Sequence, residues 1–263
     1  MVLNKKKLSL PSSRTKIVAL RADPSSPPSS DPLVIGNIIS EHYSKIWRKQ
    51  DLGLERVTSL NSYLADYKRK IVPSLINTIS LDLVHQAIRL APSSSPGPDG
   101  IPFLAYKVLA KVAAPVLLEA CNYLKTKRTP SDLSDFNKAT LLLLPKKETL
   151  LVEDTRPISV NNSGNRLVAR ILFLSVVDAA QELVGDYQKM FLPGRQMSDH
   201  LRGLNEAYYR KVQEDKEFFV LFTDNSKAFD SIHHDFILAA LSKQGFPPWF
   251  VKKKNCWHNL PRI

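Results

Sequence analysis

FFVLFTDNSKAFD, Phe218 to Asp230, is the stretch whose reading decides the fold. Phe218–Thr223 is an unbroken apolar run of β-favouring residues, apolar on both faces, and so predicts a strand in the middle of a covered sheet. Asp224 follows at its C-terminal end, where side chains of α/β sheets project into the ligand-binding crevice. A tight exit then leads through Lys227-Ala-Phe-Asp230 into a helix bearing Ile232, Phe236, Ala240 and Leu241. Lys243 in its last turn and Gly245 just past it predict its C-terminus. Chemistry alone leaves two readings of Asp224 open: a metal- or substrate-binding carboxylate, or a helix-capping aspartate on an ordinary strand-to-helix turn. Asp230, directly before the helical pattern, reads as a cap, with Ser231 as the alternative.

Outward from this stretch the chain is mostly helical. Ser80 predicts the cap of a helix with Leu83, Val84, Ala87 and Ile88 on one face, ending before Pro92. SSSPGPDGIP, Ser93–Pro102, is too dense in turn formers to be a regular element. Helices follow over Phe103–Lys111 and Val116–Lys125, divided near Pro115. TLLLL, Thr140–Leu144, predicts a short buried strand, with Arg156–Val160 as its partner. A long helix runs from about Asn165 to Val184, with Ser163 near its start and Gly185 at its end. Another, capped by Ser198 or Asp199, carries Leu201, Leu204, Tyr208 and Val212 on one stripe. Residues 1–32 stand apart. Lys5, Lys6, Lys7, Arg14, Lys16 and Arg21 precede the first acid, Asp23, and a Pro/Ser run follows, so this segment reads as a disordered basic arm. Its acid-poor composition also fits a transit peptide, though it lacks an amphipathic stretch.

The 263 residues carry 37 basic and 25 acidic side chains, a formal charge of +12, with 43% hydrophobic residues. That composition is globular and excludes a disordered or collagen-like chain. No apolar run approaches the ~20 residues of a membrane span. Cys121 and Cys256 form no metal-site spacing and no disulfide framework, which suggests a reducing, intracellular compartment. The basic balance favours an anionic partner, nucleic acid first and membrane surface second. The sequence contains no GxxxxGK[ST], no GxGxxG and no GxSxG. His233 and His234 are adjacent, which makes a poor metal pair on a helix; they read as surface or cap residues.

Three further segments carry charge where a phosphate could be met. Lys146, just after one strand, and Arg156, on the next, could converge on a triphosphate, one as a point charge and one as a bidentate fork. Pro193-Gly-Arg195 precedes a helix and could set an arginine and a helix N-terminus near phosphate. In isolation a solvated basic turn is the favoured reading of Lys146 and Arg156, and the Pro193-Gly-Arg195 signal is weak.

In order along the chain, these segments resemble the reverse transcriptase of non-LTR (LINE-type) retrotransposons. SPGPDGIP, Ser95–Pro102, resembles its amino-terminal finger motif. LLPKK, Leu143–Lys147, with RPISV, Arg156–Val160, resembles its first shared polymerase motif. QKMFLPGRQMSD, Gln188–Asp199, is similar to its Q-x-G-F-x-P-G-R-x-x-x-D segment. FTDNSKAFDSIHHDF, Phe222–Phe236, resembles polymerase motif A, and GFPPWF, Gly245–Phe250, the stretch after it. The resemblance implies an α+β fold: a mostly helical fingers region with a small antiparallel sheet, leading into the first part of a right-hand polymerase palm. The implied division is a basic arm at 1–32, an N-terminal extension and fingers at 33–216, and a partial palm at 217–263.

By resemblance, Asp224 is the motif A aspartate that binds catalytic Mg2+, and the Asn225 carbonyl helps hold the second ion. Phe229 matches the steric gate against a ribose 2′-OH. Lys146 and Arg156, or Lys147 with the register slipped by one, match residues that contact the incoming dNTP. Arg195 and Gln188 would lie near template or nucleotide. The implied activity is RNA-directed DNA polymerisation on an RNA template and DNA primer, with no membrane partner. The alternative is a non-enzymatic nucleic-acid-binding remnant of a transposable element. A haloacid-dehalogenase-like phosphohydrolase would need a second aspartate where Ser226 stands. Met190 replaces a usual glycine, Thr155 a usual aromatic, and Asn225-Ser226 is unusually polar for motif A. Motif B and the aromatic-x-Asp-Asp turn of motif C do not occur before Ile263, so the palm is expected to be incomplete and this stretch alone inactive. Its strand at Phe218–Thr223 would then lack neighbours, with marginal solubility unless a partner completes the sheet.

Overall fold

A computed structural model describes residues 19–47, 53–66, 69–126, 138–146, 150–225 and 232–251. Its elements in chain order are α1 (Pro32–Trp47), α2 (Gly53–Ala65), α3 (Leu81–Arg89), α4 (Phe103–Val108), α5 (Ala110–Thr126), β1 (Ala139–Pro145), β2 (Thr155–Asn161), α6 (Ser163–Leu183), α7 (Ser198–Gln213), α8 (His234–Lys243) and α9 (Pro248–Val251). The described part is helical around one two-stranded antiparallel ribbon.

The main core lies where α3, α5 and α6 meet. The Ser80 hydroxyl accepts from the Leu83 amide and starts α3, as its sequence predicts. Val84, Ala87 and Ile88 then point inward and pack with Leu117 and Cys121 of α5 and Leu167 and Ile171 of α6. Each fully buried aliphatic side chain contributes about 1.5–3 kcal/mol, so this cluster dominates the fold. Burial, partly offset by the nearby Lys125, pushes the Cys121 thiol up to about 11, so it behaves as a small core hydrophobe. The helix break predicted at Pro115 falls instead at Leu109, and Pro115 lies inside α5. It forfeits one backbone bond, while Ala114, Leu117, Cys121 and Leu124 all stay buried against α3 and α6. Packing along a whole face outweighs that local cost.

The second half of α6 carries a smaller cluster, Val176, Ala179 and Leu183 with Ile71 and Phe246. Phe246 reaches it through a complete Schellman end on α8. The Gly245 amide donates to Ser242 and the Phe246 amide to Leu241. Gly245 sits at φ +88°, which only glycine adopts without strain. At the N-terminus of α8 the cap is His233, in keeping with its reading as a surface or cap residue and in place of Asp230 or Ser231: its side chain accepts from the Asp235 amide. Asp230 and Ser231 lie outside the described residues. The cap of α7 also differs. It is Met197, with no side-chain bond, and Asp199 instead accepts from the Gln196 amide before the helix.

A third cluster bears on residues 19–31 of the segment read as a disordered basic arm; residues 1–18 lie outside the described residues. From Ala19 to Asp31 the chain is placed. Leu20 is 2% exposed, packed with Tyr43 and Val152. It bridges to Ser29, and Arg21 to Leu151. Asp23 accepts from the hydroxyls and amides of Ser25 and Ser26, bonds that hold its carboxyl down to about 2. Asp31 caps α1 by accepting from the Leu33 amide, with Pro32 at the first helical position. The buried Leu20, the Arg21 backbone bonds to Leu150 and Val152, and the Asp23 and Asp31 turns together place a stretch that composition marks as disordered.

β1 and β2 pair as expected, in a register that sets Leu144 opposite Arg156 and Leu142 opposite Ile158. The strands are not buried on both faces. Leu142, Leu144 and Ile158 are 47%, 39% and 42% exposed, because the ribbon packs by one face only, through Leu143, on the Leu20–Tyr43–Val152 cluster. Thr155, noted above as replacing an aromatic, is buried. Its hydroxyl donates to the Val152 carbonyl at 2.7 Å and accepts from the Tyr43 hydroxyl at 2.8 Å. Thr155→Val removes the short bonds to the Tyr43 hydroxyl and the Val152 carbonyl, leaving Tyr43 the longer contact to the Thr155 carbonyl, and is expected to lower stability by about 1 kcal/mol in denaturant titration. A cost well below that would show the pair to be dispensable.

The predicted central strand is the largest correction. Phe218–Thr223 belongs to no strand, and its backbone bonds to no described residue. Phe219, Leu221 and Phe222 are 94%, 86% and 82% exposed. An extended apolar run becomes a strand only beside a neighbour with free edge groups, and β1–β2 lie elsewhere.

Candidate functional site

Lys146 and Arg156 are brought together at one end of the ribbon. The Lys146 amide donates to the Asp154 carbonyl at 2.7 Å, extending the β1–β2 pairing by one bond. Arg156 lies one diagonal step away, opposite Leu144, and both basic side chains are exposed. Diagonal neighbours on such a ribbon are about 7–8 Å apart, a span that one triphosphate can bridge. Lys147 lies outside the described residues.

The far end of β2 is held by the SPGPDGIP segment. Gly97 lies directly on the β2–α6 junction: a Cβ there would come within 2.4 Å of the Asn162 nitrogen and 2.5 Å of the Asn161 carbonyl carbon. The Asp99 amide donates to the Asn162 side chain at 3.1 Å. Arg166, one turn into α6, donates to the Ser94 hydroxyl at 3.0 Å and the Ser95 carbonyl at 2.6 Å. Its guanidinium lies 4.5 Å from the Phe103 ring centre. The motif thus fixes the strand that carries Arg156. Sequence reading missed Arg166, whose partners lie 71 and 72 residues away and leave no local signal.

Arg195 occupies a different setting from an open phosphate contact. Its guanidinium donates to the carbonyls of Gly185 at 2.7 Å, Gln188 at 2.8 Å, Val184 at 3.0 Å and Gln181 at 3.4 Å. It caps the C-terminus of α6 and ties the following loop back onto it. Its side chain is 16% exposed, and Asp186 stands 3.8 Å away. A cleft of about 500 Å³ beside it is lined by Arg69, Asp178, Gln181, Glu182 and Asp186 among others, a mixed-charge surface. Gln188 is exposed, and its side-chain amide donates to the Met190 carbonyl at 3.2 Å. Phe191 holds φ +66° in this loop, where the family pattern has a glycine one residue earlier.

Asp224 and Asn225 are exposed at the end of the unpaired apolar segment. The clefts beside α3 and beside Arg195 do not include Asp224, Lys146 or Arg156. Phe229 lies outside the described residues. Among the described residues no group of three His, Cys, Asp or Glu side chains could hold a metal ion. No helix among them is long and apolar enough to cross a membrane.

No protein-family model matches the chain. It is 27% identical, over 244 residues, to the "Transposon TX1 uncharacterized 149 kDa protein" of Xenopus laevis. The chain is similar to a transposon-encoded protein. The alignment covers 90% of this chain and 18% of that relative's length. It therefore takes in the ribbon, the Gly97 junction, the α6 cap and Asp224 as one connected stretch rather than an isolated motif.

Proposed function

We propose that this chain is the fingers and first part of the palm of an RNA-directed DNA polymerase from a non-LTR retrotransposon. The observation that carries the reading is the hairpin end. Lys146 and Arg156 stand exposed within one diagonal step, Arg156 on the strand held by the finger-like SPGPDGIP segment. The similarity to a transposon-encoded protein over most of the chain supports it. In this reading the pair meets the phosphates of an incoming dNTP, and the +12 charge contributes sequence-independent affinity for template and primer. Arg195 then acts by holding the Gln188–Gly194 loop in place.

The reaction would be attack of a primer 3′-OH on the α-phosphate of a dNTP, with two Mg2+ ions ~3.5–4 Å apart stabilising attacking and leaving oxygens. The described residues do not fit that pair. Asp224 supplies one exposed carboxylate, and the sequence contains no Asp-Asp dipeptide. No catalytic step is therefore assigned to this stretch by itself.

Two measurements test the reading. In a salt titration against a fluorescent RNA–DNA template–primer, binding should weaken steeply with salt, and Lys146→Ala/Arg156→Ala should reduce dNTP affinity of the binary complex at least tenfold. Absent binding at low salt, or an unchanged dNTP affinity, would sink it. Primer extension with Asp224→Ala as control should show no Asp224-dependent synthesis. Clear synthesis would support the polymerase assignment and overturn the incompetence of this stretch. The non-enzymatic reading survives only if nucleic acid binds while dNTP does not.

A further inference from the structure

The exposed segment Lys216–Asp224 is self-complementary in sequence. We propose that it pairs with the same segment of a second copy of this chain, antiparallel, about a two-fold axis through Val220.

The register follows from charge and pattern. Centred on Val220, the pairing sets Lys216 opposite Asp224, Glu217 opposite Thr223, Phe218 opposite Phe222 and Phe219 opposite Leu221. Directly opposed residues share a face, so the dimer gains two opposite-charge pairs at the rim and aromatic or aliphatic pairs inside it. Shifting the axis between Val220 and Leu221 sets Glu217 against Asp224, two like charges, at both ends. The two-fold makes the interface isologous, the usual form for a homodimer.

The structure leaves this edge open. Phe219 and Phe222 are 94% and 82% exposed, and no backbone group from Glu217 to Asn225 bonds to a described residue. Lys216 lies 3.2 Å from Glu214 yet stays 63% exposed, so it can reach a partner. The Phe218 ring is anchored 5.9 Å from Tyr208 on α7, which fixes one end of the segment to the folded body. A six-residue run with high β-propensity, no charge, no glycine and no proline is the kind that adds strand to strand. Addition of one strand per copy makes a weak, concentration-dependent dimer rather than an obligate one. The pairing rests on the segment itself and not on the polymerase reading, in which the same edge belongs to the palm sheet.

Sedimentation equilibrium over a wide concentration range tests it on the full chain. A monomer–dimer equilibrium is expected. Val220→Lys, at an exposed position, sets two ammonium groups on the axis and should abolish the dimer while circular dichroism is unchanged. Lys216→Asp or Asp224→Lys alone should weaken it about tenfold, and the double exchange should restore it. A chain that stays monomeric throughout overturns the proposal. So does association indifferent to Val220→Lys, or single exchanges that the double exchange fails to rescue.

Discussion

Gly97→Ala lowers the midpoint of thermal unfolding by about 6–12 °C, corresponding to roughly 3 kcal/mol in a chain of this size. The added methyl meets the Asn162 nitrogen at 2.4 Å, and the Asn161 carbonyl carbon and oxygen at 2.5 and 2.6 Å. These are backbone atoms at the β2–α6 junction, so no side chain can swing aside. Either the SPGPDGIP segment lifts off, breaking the Asp99–Asn162 and Arg166–Ser95 bonds, or the start of α6 moves. Gly100 gives the matched comparison. It sits at φ +69° with nothing within 4 Å of its Cβ position. Gly100→Ala should therefore cost only the left-handed backbone penalty, about 1–2 kcal/mol. Scanning calorimetry of both variants decides the matter. Equal costs, or a Gly97 variant as stable as the parent, would show that the junction is not packed as described. On the proposed function, Gly97→Ala also displaces Arg156 through β2 and weakens dNTP binding without touching a nucleotide contact.

Replacing Arg195 with alanine should cost about 2–4 kcal/mol, because hydrogen bonds from a charged donor are worth ~1.5–3 kcal/mol each and the freed carbonyls recover part by meeting water. Four carbonyls lose their donor at once, from Gln181, Val184, Gly185 and Gln188. Amide exchange over Gly185–Gly194 should rise with the loss. Arg195→Lys should rescue little, since an ammonium cannot fork across carbonyls on two sides. Asp186 contributes little to this account. Its carboxylate is 99% exposed and 3.8 Å away, so added salt should leave the stability difference nearly unchanged. An alanine variant of parental stability with weakened template–primer binding would make Arg195 a ligand contact instead.

The contrast between these two residues shows what a motif carries. Both lie in segments legible from the sequence, yet the resemblance assigns Arg195 to template or nucleotide and the structure gives its guanidinium to the end of α6. A charge-bearing residue type in a pattern records that a cation is needed there. Whether it faces solvent or four carbonyls depends on how the chain returns after α6. Lys146 and Arg156 were easier, because two short strands close in sequence have few ways to pair and their ends then meet across the connection at 146–154. Leu20 and Arg166 were invisible for the opposite reason. Each depends on partners far along the chain, with no periodicity to announce them.

The sequence by itself determined the local elements: the Ser80 cap, the Gly245 stop, the β1–β2 ribbon, the helical face of α3 and the extent of α6. These follow from short-range geometry and from apolar spacing that only one periodicity satisfies. Tertiary structure decided everything that required a neighbour. It placed Ala19–Asp31 through the buried Leu20 with its neighbouring backbone bonds and turns, carried α5 through Pro115, and made Arg195 a cap. It also left Phe218–Thr223 outside any sheet. Strand formation is a property of a pair of edges, and an apolar run specifies only one of them.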